Sequence, residues 1–244
     1  MKYWAITDKG LVRQKNEDAY FACCNETDDF ALFVVCDGMG GAQAGNVASS
    51  LACNTFVNTI NAFELRDQPF DKLAYYLYPA AAAANSAVYE KSVDDITCAG
   101  MGTTLVAALI HKDKALVLNV GDSRAYVISE DEIIQATRDH SVVEDMVQKG
   151  EITREEARVH PKRNLITRAL GTVSDIEPDI YSIELESDEY LLLCSDGLTN
   201  VVTDNEIRDT ITHLEHADKV CDILLQACFQ RGAPDNVTII LYKN

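Results

Sequence analysis

Apolar residues along the chain fall into two spacings. Short runs rich in Val, Ile, Leu, Tyr and Phe, near 3–7, 19–24, 30–36, 103–110, 114–120, 124–129, 180–185, 190–194 and 237–242, predict β-strands. At about 42–63, 70–92, 142–150, 203–214 and 216–230, Ala, Leu, Val and Ile recur at threes and fours among polar residues, the spacing of a helix face. Two long helices follow the early strands and two more precede the last strand, so strict βαβ alternation is missing and an all-parallel sheet is not expected. The runs at 105–110, 115–120 and 125–128 are separated only by His111-Lys112-Asp113 and Gly121-Asp122-Ser123, which reads as a succession of antiparallel hairpins. The predicted arrangement is an α+β fold of packed antiparallel sheets with helices outside them.

The five prolines are dispersed and no Gly/Ser-rich tract divides the chain, so residues 1–244 are expected to form a single domain. At 47% hydrophobic and 25% charged, the composition is that of a folded globular protein. Charge narrows the partners, because 39 Asp and Glu against 21 Lys and Arg leave a net −18. Phosphate backbones and anionic lipid surfaces are bound through Lys and Arg, so no nucleic acid and no direct membrane insertion are expected. The N-terminus meets a charge before any apolar run of signal-peptide length, and no window holds ~18 uninterrupted apolar residues. A soluble, cytoplasmic location is the reading. The eight cysteines include no CxxC pair and read as buried thiols in a reducing compartment; only the adjacent Cys23 and Cys24 keep a disulfide framework open.

The chemistry is suggested by where a few aspartates stand. Asp37 follows Phe33-Val34-Val35-Cys36, Asp122 follows Asn119-Val120-Gly121, and Asp196 follows Leu191-Leu192-Leu193-Cys194-Ser195, each at the end of an apolar run. Asp18 and Asp235 stand at the opposite ends, ahead of Ala19-Tyr20-Phe21 and of the run that begins at Val237. Strand starts and strand ends alternate along the rim of an antiparallel sheet, so the five can gather. Gathered and partly desolvated, they must take protons or share a cation. All-oxygen donors without Cys or His suit magnesium or manganese rather than zinc. Gly38 and Gly197, each after a carboxylate, are expected to let the backbone turn sharply and bring a carbonyl to a ligand. One Asp-Gly pair by itself reads as an ordinary turn. Two adjacent ions can generate hydroxide from a bridging water at neutral pH and neutralise a phosphoryl group under in-line attack, which makes phosphate-ester hydrolysis the predicted chemistry. The sequence has no HC(x5)R phosphocysteine motif, no Gly-x-Ser-x-Gly elbow and no GxxxxGK[ST] loop.

Seven motifs in order then resemble one family: Thr7-Asp8-Lys9-Gly10 with Arg13 and Asn16-Glu17-Asp18; Cys36-Asp37-Gly38-Met39-Gly40-Gly41; Gly102-Thr103-Thr104; Asn119-Val120-Gly121-Asp122-Ser123-Arg124; Asp139-His140-Ser141; Cys194-Ser195-Asp196-Gly197-Leu198; and Gly232-Ala233-Pro234-Asp235-Asn236-Val237-Thr238. Each motif alone is weak, and their order and spacing are specific. Over nearly its whole length the chain resembles the metal-dependent (type 2C, PPM) serine/threonine protein phosphatases of the compact bacterial kind. The resemblance implies an α-β-β-α sandwich, two mainly antiparallel sheets face to face between helix pairs, with a flap over about 141–171. It implies hydrolysis of phosphoserine and phosphothreonine in proteins by a metal-bridging hydroxide, with two to three Mn2+ or Mg2+ ions per chain, in opposition to a bacterial Ser/Thr kinase. In that scheme Asp37 bridges two metals, the Gly38 carbonyl completes the shell of the second, and Asp196 and Asp235 hold the first. Asp18 and Glu17 orient metal-bound waters, Asp122 helps hold a third metal, and Arg13 binds the phosphate. A guanidinium fork is independently suited to two phosphoryl oxygens. Phosphorylated proteins, among them a kinase and its substrates, are the implied partners, and a monomer is expected.

Met39 departs from part of the family, whose eukaryotic members carry there a histidine thought to protonate the leaving oxygen. A serine alkoxide needs that proton, and a water is the expected donor in its place. The flap concentrates Lys149, Arg154, Arg158, Lys162, Arg163 and Arg168 in an acidic chain. Charge runs are often only solvated faces, and the functional alternative is that Arg154 and Arg158 meet phosphorylated substrates and offset repulsion from the body. His140 and His160 flank the flap without metal-ligand spacing. A two-metal phosphatase for small phosphoesters and an inactive phosphopeptide-binding member are the rival readings, while a calcium module lacks DxDxDG spacing.

Overall fold

The computed structural model describes residues 2–25, 29–40, 44–65, 68–214 and 216–244. In chain order these residues form β1 (Lys2–Asp8), β2 (Asp18–Asn25), β3 (Phe30–Met39), α1 (Gly45–Asn61), α2 (Phe70–Asp94), β4 (Gly102–Thr103), β5 (Leu105–His111), β6 (Lys114–Val120), β7 (Arg124–Ile128), β8 (Ile133–Gln135), α3 (Val142–Gln148), α4 (Arg154–Val159), β9 (Asp179–Glu184), β10 (Tyr190–Cys194), α5 (Asp196–Thr199), α6 (Asp204–His213), α7 (Val220–Gln230) and β11 (Val237–Lys243). One sheet runs β1-β11-β10-β7-β8 and the other β2-β3-β5-β6-β9, with β4 beside β3, and every pairing is antiparallel.

Period-two alternation explains the layering. On β3, Phe33 and Val35 face the opposite sheet and pack with Ile110, Leu191, Leu193 and Ile240, whereas Leu32, Val34 and Cys36 face α1 and α2. Leu192, Cys194, Ile239 and Leu241 do the same for α6 and α7 on the other side. Both faces of the central strands are therefore covered, and the α-β-β-α sandwich follows.

Three expectations change. The strand pair around Gly121-Asp122-Ser123 is not a hairpin: β6 lies in one sheet and β7 in the other. Gly121, at φ +110°, and fully buried Ser123 carry the chain across the gap between the sheets, which places Asp122 at their shared end. The helix expected from 42 begins at Gly45, and 42–43 lie outside the described residues, as does Gly41 of the Asp37 motif. A helix at α4 was not anticipated, although Thr153 and Glu156 form a capping box that its Thr-x-x-Glu spacing announces.

Candidate active site and metal centre

The register of β2 on β3 sets Asp18 opposite Asp37. From the other sheet, Asp196 begins α5 directly after β10, and Asp235 precedes β11. The two sheets meet at one end of the sandwich, and there the five aspartates act on one another: Asp37 feels the charges of Asp18, Asp196, Asp122 and Asp235.

Four of them are held by hydroxyls, backbone N–H groups, an amide and a guanidinium. Asp37 N–H donates to Thr104 Oγ1 at 2.9 Å, and its carbonyl accepts from Thr103 Oγ1 at 2.9 Å and from Thr104 N–H at 2.9 Å. Thr104 Oγ1 also lies 2.7 Å from Ser123 Oγ, which ties Asp37 to the neighbour of Asp122. Asp18 Oδ2 accepts from Ser195 Oγ at 2.8 Å and from Thr238 Oγ1 at 2.6 Å. Asp196 Oδ2 accepts from Asn200 Nδ2 at 2.9 Å. Asp235 accepts from its neighbour's Asn236 N–H at 2.9 Å and from Arg13 NH2 at 2.7 Å.

Burial, then crowding, lifts the proton affinities. Burial carries Asp18 up to about 7, with the Thr238 and Ser195 hydroxyls opposing and the Asp196 and Asp235 charges adding. Asp122 rises to about 8 through burial and the charges of Asp196 and Asp139, against Arg124. Asp37 and Asp196 are raised too, by burial first. Asp18 Oδ1 and Asp196 Oδ1 are buried without a hydrogen-bond partner. Among the described residues no three Asp, Glu, His or Cys side chains close on one ion-sized point. The donor set nevertheless fits a hard divalent ion, because it is all oxygen, it is crowded enough to resist ionising alone, and two of its oxygens lack partners.

The reason for glycine at 38 and 197 differs from the expectation. Gly38 does not turn; it lies within β3, where an added Cβ would meet Gly45 O at 2.1 Å and Glu17 O at 2.5 Å. Gly197 lies in α5, where a Cβ would meet Asn236 O at 1.9 Å. Close backbone approach, not turning, excludes a side chain at both. Gly45 has the same role: a Cβ there would sit 2.8 Å from Glu17 Oε1 and 2.8 Å from Gly38 O. That position was missed, and nothing local in the sequence marks it. Asn236 was seen only as part of a motif, yet its buried amide accepts from Glu17 N–H at 2.8 Å and donates to the carbonyls of Lys9 and Lys15 at 2.9 Å each.

Beside Asp122 and Asp196 opens a cleft of about 520 Å3, walled on the far side by Glu144, Arg154, Arg158 and Arg163. Arg154 is engaged within the flap, donating NH1 to Glu144 Oε2 at 3.0 Å. Arg158 is exposed and unpaired among the described residues. His140 has both ring nitrogens occupied, Nδ1 accepting from Gly121 N–H at 3.1 Å and Nε2 standing 3.2 Å from Asp179 Oδ2. His160 Nδ1 accepts from Lys162 N–H at 3.1 Å. Neither is a donor to the aspartate cluster.

A sandwich of two antiparallel sheets with a carboxylate cluster at their common end is the arrangement expected of a metal-dependent phosphatase, and the comparisons give the class. The family model for protein phosphatase 2C matches residues 6–237, and the chain belongs to that family. It is 34% identical over 237 residues to the serine/threonine phosphatase stp of Listeria welshimeri, covering 97% of this chain and 93% of that one. The crystal structure of serine/threonine phosphatase Stp1 from Staphylococcus aureus superposes with a TM-score of 0.93 at 39% identity, covering 100% of this chain and 94% of that one. A structure of the catalytic domain of the phosphatase PstP in complex with two manganese ions superposes at 0.84, with 34% identity over 98% and 96% of the two chains. This chain is a protein-serine/threonine phosphatase of a metal-dependent family.

Proposed function

We propose that this chain, one domain over 1–244 with a flap at about 141–171, removes phosphate from phosphoserine and phosphothreonine in proteins and opposes a bacterial Ser/Thr kinase. The observation that carries the reading is the set of half-buried, mutually repelling carboxylates at the meeting of the two sheets, with Arg13 at its edge. Asp37, the Gly38 carbonyl, Asp196 and Asp235 would hold two manganese or magnesium ions, with Asp122 contributing to a third. Bound there, the ions would lower the pKa of a coordinated water and neutralise phosphoryl charge.

The chain's own residues do the positioning. Arg13 gives one NH2 hydrogen to Asp235 and is 48% exposed in its side chain, so its remaining N–H groups are available to a phosphoryl group. Asp18 is oriented by Ser195 and Thr238, and Glu17 by the Asn236 amide on its own backbone. With Met39 beside the cluster and both nitrogens of His140 occupied, the proton for a serine or threonine leaving oxygen comes from water. Arg158, like Arg163, is a flap cation that lines the cleft without an ion-pair partner among the described residues and can meet a substrate. A cytoplasmic monomer fits the reading; among the described residues no helix is long and apolar enough to cross a membrane.

The test is phosphate release from a phosphothreonine peptide by metal-stripped protein, with manganese, magnesium or neither, and with Asp37→Ala in parallel. Manganese-dependent release that Asp37→Ala abolishes is the expected result. No release by folded protein with either metal would leave the inactive binding member as the better reading.

A further inference from the structure

The seven residues from Lys9 to Lys15, Lys-Gly-Leu-Val-Arg-Gln-Lys, carry three cations and no acid in a chain of net charge −18. They form a loop anchored from several sides. The Asn236 amide binds the carbonyls of Lys9 and Lys15, so one buried side chain holds both ends. Leu11 N–H donates to Ala233 O at 3.0 Å, and Gly10 N–H donates to Asp8 Oδ1 at 2.8 Å. Gly10 has φ +73°, and a Cβ on it would meet Asp235 O at 2.3 Å, so the loop is pressed against the segment that carries Asp235.

On this anchored loop Leu11 is 63% and Val12 64% exposed, immediately before Arg13. A single exposed aliphatic residue needs no explanation. Two in succession, on a backbone with little freedom to bury them and one peptide from a guanidinium that reaches the carboxylate cluster, form a small apolar step at the mouth of the site. A ligand meeting that step also meets Arg13, with Lys9 and Lys15 on the same loop, so it carries negative charge beside an apolar group.

We infer that Leu11 and Val12 determine specificity: they seat an aliphatic or aromatic side chain that neighbours the phosphorylated residue in a protein segment whose phosphate lies on Arg13. The inference rests on the phosphatase reading above and names the substrate class more narrowly. An anchored loop binds without first being ordered, so the apolar contact is expressed as affinity. Lys9 and Lys15 add attraction for the phosphate at long range and weaken in salt.

The experiment compares phosphothreonine peptides identical except for Leu or Ser at the positions adjacent to the phosphothreonine, hydrolysed by manganese-loaded full-length protein. Wild-type protein is expected to favour the Leu-flanked peptide by about fivefold to tenfold in kcat/KM, carried by KM, the scale of partial burial of one aliphatic side chain. Leu11→Ser with Val12→Ser is expected to bring the ratio near one, and Leu11→Met with Val12→Ile to restore it. Equal kcat/KM for the two peptides in the wild type, or a ratio that survives the serine pair, would overturn the inference. p-Nitrophenyl phosphate hydrolysis by the wild type reads the chemistry separately. No release from either peptide or from p-nitrophenyl phosphate sinks the phosphatase reading, while hydrolysis without peptide selection sinks only the role of the loop.

Discussion

Thr238 shows how far one hydroxyl can reach. Its Oγ1 donates to Asp18 Oδ2 and lies 2.7 Å from Thr7 Oγ1, which itself accepts from Asn16 Nδ2 at 2.8 Å. Because Thr238 spends its hydrogen on the carboxylate, Thr7 must donate to Thr238, and the relay runs Asn16, Thr7, Thr238, Asp18 in one direction. Thr238→Val keeps the shape, removes a donor from Asp18 and strands the Thr7 hydrogen. The expected cost is about 2 kcal/mol of stability in urea unfolding; a loss below about 0.5 kcal/mol would mean that the relay is not formed in solution.

At the scale of elements, the flap arginines that look alike in sequence are unequal. Arg154 leaves α4 to pair with Glu144 on α3, and Glu144 is only 7% exposed. Reversing Arg154 would put a carboxylate against a buried carboxylate, so Arg154→Glu is expected to lower Tm as well as alter substrate binding. Arg158, exposed and facing the cleft, is the cleaner probe. Arg158→Glu is expected to raise KM for a phosphoprotein severalfold at low salt, with Tm unchanged and a smaller effect on p-nitrophenyl phosphate. A KM for the phosphoprotein equal to that of the wild type would remove the flap from substrate selection.

For the whole molecule, the carboxylate cluster ties stability to pH and to metal. A carboxyl that holds its proton more tightly when folded stabilises the fold while protonated, and loses that contribution as pH rises from the unfolded value through the folded one. Asp18, raised from 3.8 to about 7, and Asp122, raised from 3.8 to about 8, therefore weaken the metal-free fold across neutral pH. His140, whose pKa burial lowers, works the other way and loses stability as pH falls below its unfolded value of 6.5. The carboxyls outweigh it, since several are raised and each unit is worth ~1.4 kcal/mol. Metal-stripped protein is expected to have a higher Tm at about pH 5.5 than at about pH 8, and manganese to raise Tm more at the higher pH. A Tm that climbs with pH in stripped protein, or a manganese shift larger in acid, would contradict this assignment of protons.

What the sequence determined alone was most of the local layer: where the longer strands and helices run, though not β8 or α4, and that Asp18, Asp37, Asp122, Asp196 and Asp235 stand at apolar boundaries. Hydrophobic periodicity is a property of neighbouring residues, so it can be read without partners. The motif order from Thr7 to Thr238 added the family. The tertiary structure decided what depends on residues far apart in the chain. It sent β6 and β7 to different sheets, so that Ala115 and Val117 on one and Ala125 on the other meet in the core between the sheets. It made Gly38 and Gly197 positions of close approach to Gly45 and Asn236 rather than turns, and it spent Arg154 on Glu144 while leaving Arg158 free. It joined the loop of Arg13 to the segment of Asp235, just ahead of β11, through Asn236, over two hundred residues away. Such pairings are selected by the shape and charge of the surface a side chain meets, and that surface exists only once the sheets have packed.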